Sequence, residues 1–210
     1  MHQTHQEQLL KDKLLHFPAT STPIIVDMDF AENYDIMHKV EVQSEHWNNQ
    51  QATLFIVITH HRKMIKAADA DEATPAEYRV FSEAHVYVSP DGGHDTHFVQ
   101  HVMLDLQDHF RKRDLRFKQW FINTDGAASH FKQRFTFQSV FNFKAKAKAD
   151  HVLWETCAPG HGKGPWDGIG AVVKRLLRAL EIKDKVYVRG ALDIYNTLAN
   201  HADSWHKAAK

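Results

Sequence analysis

The order of strand-like and helix-like segments constrains the fold of this chain most strongly. Three strand-like runs come first in series, at residues 24–30, 52–59 and 78–88. The second is a continuous apolar and β-branched run, which is typical of a buried strand. Strand and helix patterns then alternate: a helix capped by Asp95 or Thr96, a strand over 116–124, a helix over 127–143, a strand over 151–157, a helix from Pro165 and a last helix over 191–202.

This order predicts one particular sheet. Three strands in series can form an antiparallel meander, whereas strand–helix alternation implies parallel neighbours joined by right-handed crossovers. The order is that of the ribonuclease-H-like fold, an α/β fold with a mixed five-stranded sheet flanked by helices. We therefore predict a ribonuclease-H-like domain over residues 23–183, an N-terminal arm or helix over 1–22 and a C-terminal helical extension over 184–210.

Aspartates stand at three points of this predicted fold. Asp29 lies in the first strand with Asp27 on the same face, Asp125 ends the fourth strand, and Asp167 lies in the first turn of the helix from Pro165. In the ribonuclease-H-like fold these three elements meet at one edge of the sheet. Because carboxylates are the hard ligands that Mg²⁺ prefers, the sequence predicts a divalent-metal site of Asp29, Asp125 and Asp167, with Asp27 as the alternative first ligand.

Each aspartate also has an ordinary structural explanation. An edge strand would leave Asp27 and Asp29 solvated, and an Asp before Gly at a strand end is a common turn and helix cap. The helix macrodipole favours an acidic residue such as Asp167 in a first turn. The metal site is therefore inferred from the joint placement of the three carboxylates and from none of them alone.

A glycine-dense segment, residues 160–170, precedes and opens the predicted helix. It does not match the P-loop, because Gly164 follows Lys163 where a Ser or Thr is needed, and it does not match the dinucleotide-binding fingerprint, because Asp167 takes the place of the third glycine. Lys163 and His161 are candidates to contact a phosphate near Asp167. The alternative is a solvent-exposed loop.

Composition restricts the class of protein. The 210 residues include 26 Lys and Arg against 26 Asp and Glu, which argues against a strong nonspecific nucleic-acid binder. The single cysteine, Cys157, excludes a disulfide within the chain and a cysteine-based zinc site. The polar N-terminus lacks a secretory h-region, and no apolar run approaches the roughly 18 residues of a membrane span. We expect an intracellular protein, nuclear or cytoplasmic, with no membrane partner.

Three blocks carry a resemblance to a known family. They are residues 27–34 (DMDFAENY), 124–132 (TDGAASHFK) and 160–175 (GHGKGPWDGIGAVVKR). They are similar to blocks of transposase-like proteins encoded by eukaryotic mobile elements, and the resemblance spans residues 24–180. It implies a DDE/D-type catalytic core on a ribonuclease-H-like fold.

The resemblance also implies a function and a site. It assigns Asp29, Asp125 and Asp167 as catalytic metal ligands for Mg²⁺ or Mn²⁺, and Lys132, His161 and Lys163 as phosphate or DNA contacts. The expected activity is DNA phosphodiester cleavage with strand transfer in the nucleus, by a monomer or a homo-oligomer. Two alternatives stay open: an inactive, domesticated or remnant domain that binds nucleic acid or acts as a scaffold, and another ribonuclease-H-like nuclease.

Overall fold

In the part of the chain that the structure describes, five strands and four longer helices follow a short helical turn at residues 12–15. The computed structural model describes residues 12–36, 50–67, 76–124, 134–156, 165–183 and 186–201. The strands are β1 (Pro23–Asp35), β2 (Gln51–Lys66), β3 (Glu77–Ser89), β4 (Gln119–Thr124) and β5 (His151–Thr156). The helices are α1 (Thr96–Lys112), α2 (Arg134–Ala147), α3 (Pro165–Ile182) and α4 (Ala191–Asn200).

The strands form one mixed sheet in the order β3-β2-β1-β4-β5. β1 pairs with β4, and β4 with β5, both in parallel. Contacts between β1 and β2 run in the opposite sense, because Asn33 meets Thr53 while the earlier residue Asp27 meets the later residue His60. Contacts between β2 and β3 also run in the opposite sense, so these strands are antiparallel. The predicted fold class, a ribonuclease-H-like mixed sheet flanked by helices, is confirmed.

The central strand β1 is buried because both of its neighbours and the helices cover it. Ile24, Val26 and Met28 are fully buried, and they point to the face that does not carry Asp27. Trp120 and Ile122 of β4 pair with Ile24 and Val26 and extend this apolar row. Burying branched and aromatic side chains of this size contributes about 1.5–3 kcal/mol each, so this row anchors the sheet.

The chain divides into two compact units. The first contains residues 1–29, 57–85 and 95–165, and the second contains 30–56, 86–94 and 166–210. The first three strands therefore contribute residues to both units. In the first unit an aromatic chain joins α1 to β4 and α2, since Phe110, Phe117, Trp120 and Phe143 contact one another edge to face.

The second unit has its own apolar cluster. Its fully or nearly buried members come from β1, β2, α3, α4 and the segments that follow β1 and precede α4: Tyr34, Ile36, Ala52, Leu54, Val173, Leu177, Val188, Ala191, Ile194 and Leu198. Gly170 lets α3 pack closely on β1, because a Cβ at this position would lie only 3.1 Å from the Cβ of Ala31. The apolar face of α3 therefore packs on the second half of β1.

Element bounds differ from the predicted ones in ways that local contacts explain. The predicted cap of α1 is confirmed, since Asp95 Oδ1 accepts from Phe98 N at 2.8 Å. β4 starts at Gln119, three residues later than predicted, because Lys118 N donates instead to Thr22 O. α2 continues past Phe143 to Ala147, since alanine and lysine are strong helix formers. The predicted domain bounds 1–22, 23–183 and 184–210 stay a prediction.

Candidate functional site

A buried carboxylate lies at the middle of the sheet. Asp27 is only 4% exposed, although it lies on a strand whose other residues are mostly apolar. The parallel register sets it beside Asn123 of β4, and Asn123 Nδ2 donates to Asp27 Oδ1 at 2.7 Å. A charged carboxylate is buried only where such contacts offset its lost hydration.

A histidine of β2 approaches the second oxygen of this carboxylate. His60 Nε2 lies 3.4 Å from Asp27 Oδ2, at ion-pair distance but without a well-aligned hydrogen bond among the described residues. The contact is an ion pair only when the imidazole is protonated. His60 Nδ1 lies 2.7 Å from Ser82 Oγ of β3. Asn123, Asp27, His60 and Ser82 thus form a polar row across β4, β1, β2 and β3, which we call the cross-sheet row.

The sequence predictions did not include His60, Asn123 or Ser82. Asn123 stands two residues before Asp125 just as Asp27 stands two before Asp29, so a parallel register of the two strands could have paired Asp27 with Asn123. No local pattern singles out His60 among the many histidines. One oxygen of Asp27 accepts a hydrogen bond from Asn123 and the other faces His60, so this carboxylate links neighbouring strands.

Asp29 is more accessible than Asp27. It lies two residues further along β1 on the same face and is partly buried. The last described pair between β1 and β4 is Met28 with Thr124, directly before Asp29 in the first strand. Asp29 thus directly follows the described part of this pairing.

Asp167 lies in the first turn of α3 and is exposed. Pro165 opens the helix, as predicted, and its preset φ suits this position. Unpaired backbone N–H groups at a helix start stabilise a nearby negative charge, which suits an aspartate in a first turn. Trp166, the preceding residue, is 7% exposed, so the helix start is anchored beside an exposed carboxylate.

The predicted constellation is only partly within the described residues. Asp125, Lys132, His161 and Lys163 lie outside them. Asp29 belongs to the first compact unit and Asp167 to the second. Among the described residues, no three His, Cys, Asp or Glu side chains are grouped closely enough to hold a metal ion. The convergence of Asp29, Asp125 and Asp167 therefore stays a prediction.

A second polar group lies between β3 and the end of α1. Arg113 binds Glu83 with two hydrogen bonds, Nη1 to Oε2 at 2.5 Å and Nη2 to Oε1 at 2.9 Å. This guanidinium lowers the pKa of Glu83. Burial lowers the pKa of His85 to about 4, and burial also lowers that of His61. This group is a fold-stabilising ion pair beside two histidines held neutral near pH 7.

Comparisons with known proteins add a family and one distant structural likeness. No curated protein matches the chain. The structure described as "Crystal structure of the mariner Mos1 paired end complex with Mg" aligns over 97% of this chain with 9% identity and a TM-score of 0.28. The chain spans 62% of the length of that chain. Over the described residues, none of the helices is both long and apolar enough to cross a membrane.

The family match covers nearly the whole sequence. The model described as "Domain of unknown function (DUF8701)" matches residues 6–207. All five strands and four helices of the fold fall within these bounds. The chain therefore belongs to the DUF8701 family.

Proposed function

We propose that this chain is the catalytic core of a DDE-type transposase, which cleaves DNA phosphodiesters and transfers strands in the nucleus with Mg²⁺ or Mn²⁺. The observation that supports this most is the register of the two central parallel strands. The residues of the two strands pair one to one without a bulge, from Pro23 with Gln119 to Met28 with Thr124. Asp29 and Asp125 are the next residues of the two segments in the sequence.

Burial supports Asp29 over Asp27 as the first ligand. Both oxygens of Asp27 face partners within the sheet, Asn123 Nδ2 at 2.7 Å and His60 Nε2 at 3.4 Å. A ligand role would require breaking these contacts, which is costly for a charge that is 4% exposed. Asp29 is partly buried, so we assign it the ligand role and Asp27 the role of holding β1 in register with β4.

The donor set fits a small, hard divalent cation. Asp29, Asp125 and Asp167 offer carboxylate oxygens only, which is what Mg²⁺ and Mn²⁺ take from proteins. A divalent metal bound to them supplies Lewis acidity at the attacking and leaving oxygens of a phosphodiester. Asp167 is exposed in the first turn of α3. Lys132, His161 and Lys163 are assigned to phosphate contacts.

Metal-linked stability tests the carboxylate set. If the three carboxylates share one metal site, they repel each other without the cation, so Mn²⁺ should raise the melting temperature of the wild type by binding the folded state alone. Asp29→Asn, Asp125→Asn and Asp167→Asn should each remove most of this rise. Asp114→Asn is the matched control, because Asp114 is 92% exposed and asparagine tolerates its positive φ of 57°. An equal rise in all variants would refute the site.

A plasmid-nicking assay tests the chemistry. With no net charge, the domain should bind duplex DNA weakly and with steep salt dependence. Nicking should need Mg²⁺ or Mn²⁺, fail with Ca²⁺ because of its longer, looser coordination, and vanish in Asp29→Ala and Asp167→Ala. Lys163→Ala should only weaken it. Preferential cleavage of RNA would instead indicate another ribonuclease-H-like nuclease, and inertness without metal binding would indicate a remnant domain.

A further inference from the structure

The outer face of α2 exposes two aromatic side chains in a row. Phe137 and Phe141 are 65% and 71% exposed. Residues three or four apart share one face of a helix, and Lys144 continues the same line at the next turn. On the other side of α2, Phe143 is 6% exposed and packs on Trp120. The core of the first unit is therefore complete without Phe137 and Phe141.

A basic cavity lies where this line ends. It has a volume of about 160 Å³, and its lining includes Phe110, Phe117 and Trp120. Five cationic side chains and no carboxylate line it: Arg111, Arg116, Lys118, Lys146 and Lys148. Lys148, the residue directly after α2, lines the cavity together with Lys146 near the end of the helix. We call the exposed aromatic pair of α2, Lys144 and these cations at the C-terminal end of the helix the α2 surface.

The cations of the α2 surface exceed the carboxylates near them. Asp108, Asp114 and Asp150 lie 3.2–4.0 Å from Arg111, Arg116 and Lys118 respectively. Lys144, Lys146 and Lys148 form no salt bridge with the carboxylates of the described residues. Lys118 Nζ also donates to Lys148 O at 2.9 Å, which ties β4 to the end of α2. The surplus of positive charge indicates a polyanionic ligand.

Lys148 is held in a conformation that favours glycine. Its φ is 52°, and it ends α2 where Ala149 N donates to Lys144 O at 3.1 Å. A glycine at this helix stop would avoid the steric cost of a Cβ. Lysine at this position therefore makes the fold less stable than glycine would. Its side chain nevertheless lines the cavity.

We propose that the α2 surface binds single-stranded nucleic acid. Bases stack on Phe137 and Phe141, and the phosphates follow Lys144 and Lys148 towards the cavity, since exposed aromatics beside a cationic groove are the general solution for unpaired strands. Paired bases are already stacked and do not offer their faces. Self-association through this face is disfavoured because it would bring the cations of two copies together.

The α2 surface is independent of the proposed cleavage site. Its cavity includes Lys118 and Trp120 at the start of β4, whereas Asp29 follows Met28, the partner of Thr124 at the end of β4. The six residues of β4 span roughly 17 Å at about 3.3 Å per residue. Binding uses none of the three aspartates and needs no metal, so it is measurable in EDTA whether or not the chain cleaves DNA.

Fluorescence anisotropy of a labelled 15-nucleotide oligo-dT in EDTA tests the aromatic pair. Wild type should bind it more tightly than a duplex of the same length, and an oligo-U arm shows whether RNA is accepted equally. Phe137→Ala/Phe141→Ala should weaken binding at least about tenfold, because each stacked base contributes about 1–3 kcal/mol. Phe137→Tyr/Phe141→Tyr should retain it. Tyr195→Ala, at a site 59% exposed on α4, is the matched control and should bind like wild type.

Salt dependence tests the lysines. Lys144→Ala/Lys148→Ala should reduce the slope of log K against log salt by about 1.4, at about 0.7 per released counterion, while the exposed Lys183→Ala leaves it unchanged. Lys148→Gly should lower affinity yet raise the melting temperature, which separates binding from folding. Wild-type affinity in the double phenylalanine variant with intact circular dichroism would overturn the proposal. So would an equal loss in Tyr195→Ala, or a dimer that the phenylalanine substitutions abolish without any effect on oligonucleotide binding.

Discussion

At the scale of single residues, the buried carboxylate of Asp27 determines how the central strands are held. Asp27→Ala would leave Asn123 Nδ2 and His60 Nε2 without the oxygens that they face inside the sheet. Leaving buried polar groups without partners costs about 1–3 kcal/mol, so urea denaturation should show a free energy of unfolding lower by about that amount. Asp150→Ala, whose exposed carboxylate lies 4.0 Å from Lys118 Nζ, should change it by less than about 0.5 kcal/mol.

Comparing Asp27→Ala with Asp29→Asn tests which aspartate holds the strands and which one binds metal. If Asp27 holds the strands and Asp29 binds metal, Asp27→Ala should lose stability with and without Mn²⁺. Asp29→Asn should mainly lose the stabilisation by Mn²⁺. A destabilised Asp29→Asn together with a stable, metal-insensitive Asp27→Ala would reverse the two assignments.

Buried histidines give the protein a pH dependence with a definite sign. Burial, reinforced by His109, lowers the pKa of His85 from 6.5 to about 4 in the folded protein. The unfolded chain therefore binds more protons between these values, so stability is complete above about pH 6.5 and falls as the pH drops towards 4. The drop of about 2.5 pKa units corresponds to about 3 kcal/mol at most.

Denaturation curves between pH 7 and 4 check this expectation. His85→Leu should flatten the pH dependence, while His61, whose pKa burial also lowers, keeps part of it. His101→Leu, at an exposed position of α1, should leave the pH dependence unchanged. An unaltered slope in His85→Leu would show that His85 is not the group that titrates.

At the scale of elements, the first turn of α1 depends on one side chain. Asp95 Oδ1 accepts from Phe98 N at 2.8 Å, which satisfies one of the N–H groups that a helix start leaves unpaired. Asp95→Ala should lower the free energy of unfolding by about 1 kcal/mol, measured by thermal denaturation. Asp95→Asn keeps an accepting oxygen and should lose little. Equal losses in both variants would mean that the charge, and not the cap, stabilises the helix.

The bounds of an element could be predicted where local chemistry sets them. They were harder to predict where contacts with distant parts of the chain set them. Asp95 and Pro165 mark helix starts through their own backbone preferences, and both appear where the sequence placed them. The length of β1 was underestimated, since its end at Asp35 depends on pairing with Gln51 across the sheet. The exposure of Phe137 and Phe141 was not foreseen either, because helical spacing alone does not show which face meets a core.

The residues of the candidate site also fall into two groups, those that the local sequence indicates and those that depend on distant contacts. Asp29 and Asp167 were proposed as site residues from the positions of aspartates relative to apolar runs, which the sequence shows directly, and their role stays a prediction. His60 and Ser82 were missed, because their contacts depend on the registers of β2 with β1 and of β3 with β2. Register is set by side-chain packing and by turns over the whole sheet, so it is poorly visible in any single segment.

At the scale of the whole molecule, the strand order sets where the sheet opens last. β1 lies at the centre of the order, and β3 and β5 are its edges. Ile24, Val26 and Met28 are fully buried, whereas Leu153 of β5 is 47% exposed. Native-state hydrogen exchange should therefore be slowest for residues 24–28, at a rate limited by global unfolding, and faster by local opening in β3 and β5.

The same experiment distinguishes this sheet from other arrangements of the same strands. A sheet with β1 at an edge would leave one row of its amides without strand partners, and these would exchange quickly. Asp27→Ala should speed exchange in β1 and β4 together, because Asn123 Nδ2 and Asp27 Oδ1 link the two strands. In β5, Asp27→Ala should speed exchange only as much as the lower global stability of the variant predicts. Fast exchange at residues 24–28 in the wild type would contradict the central position of β1.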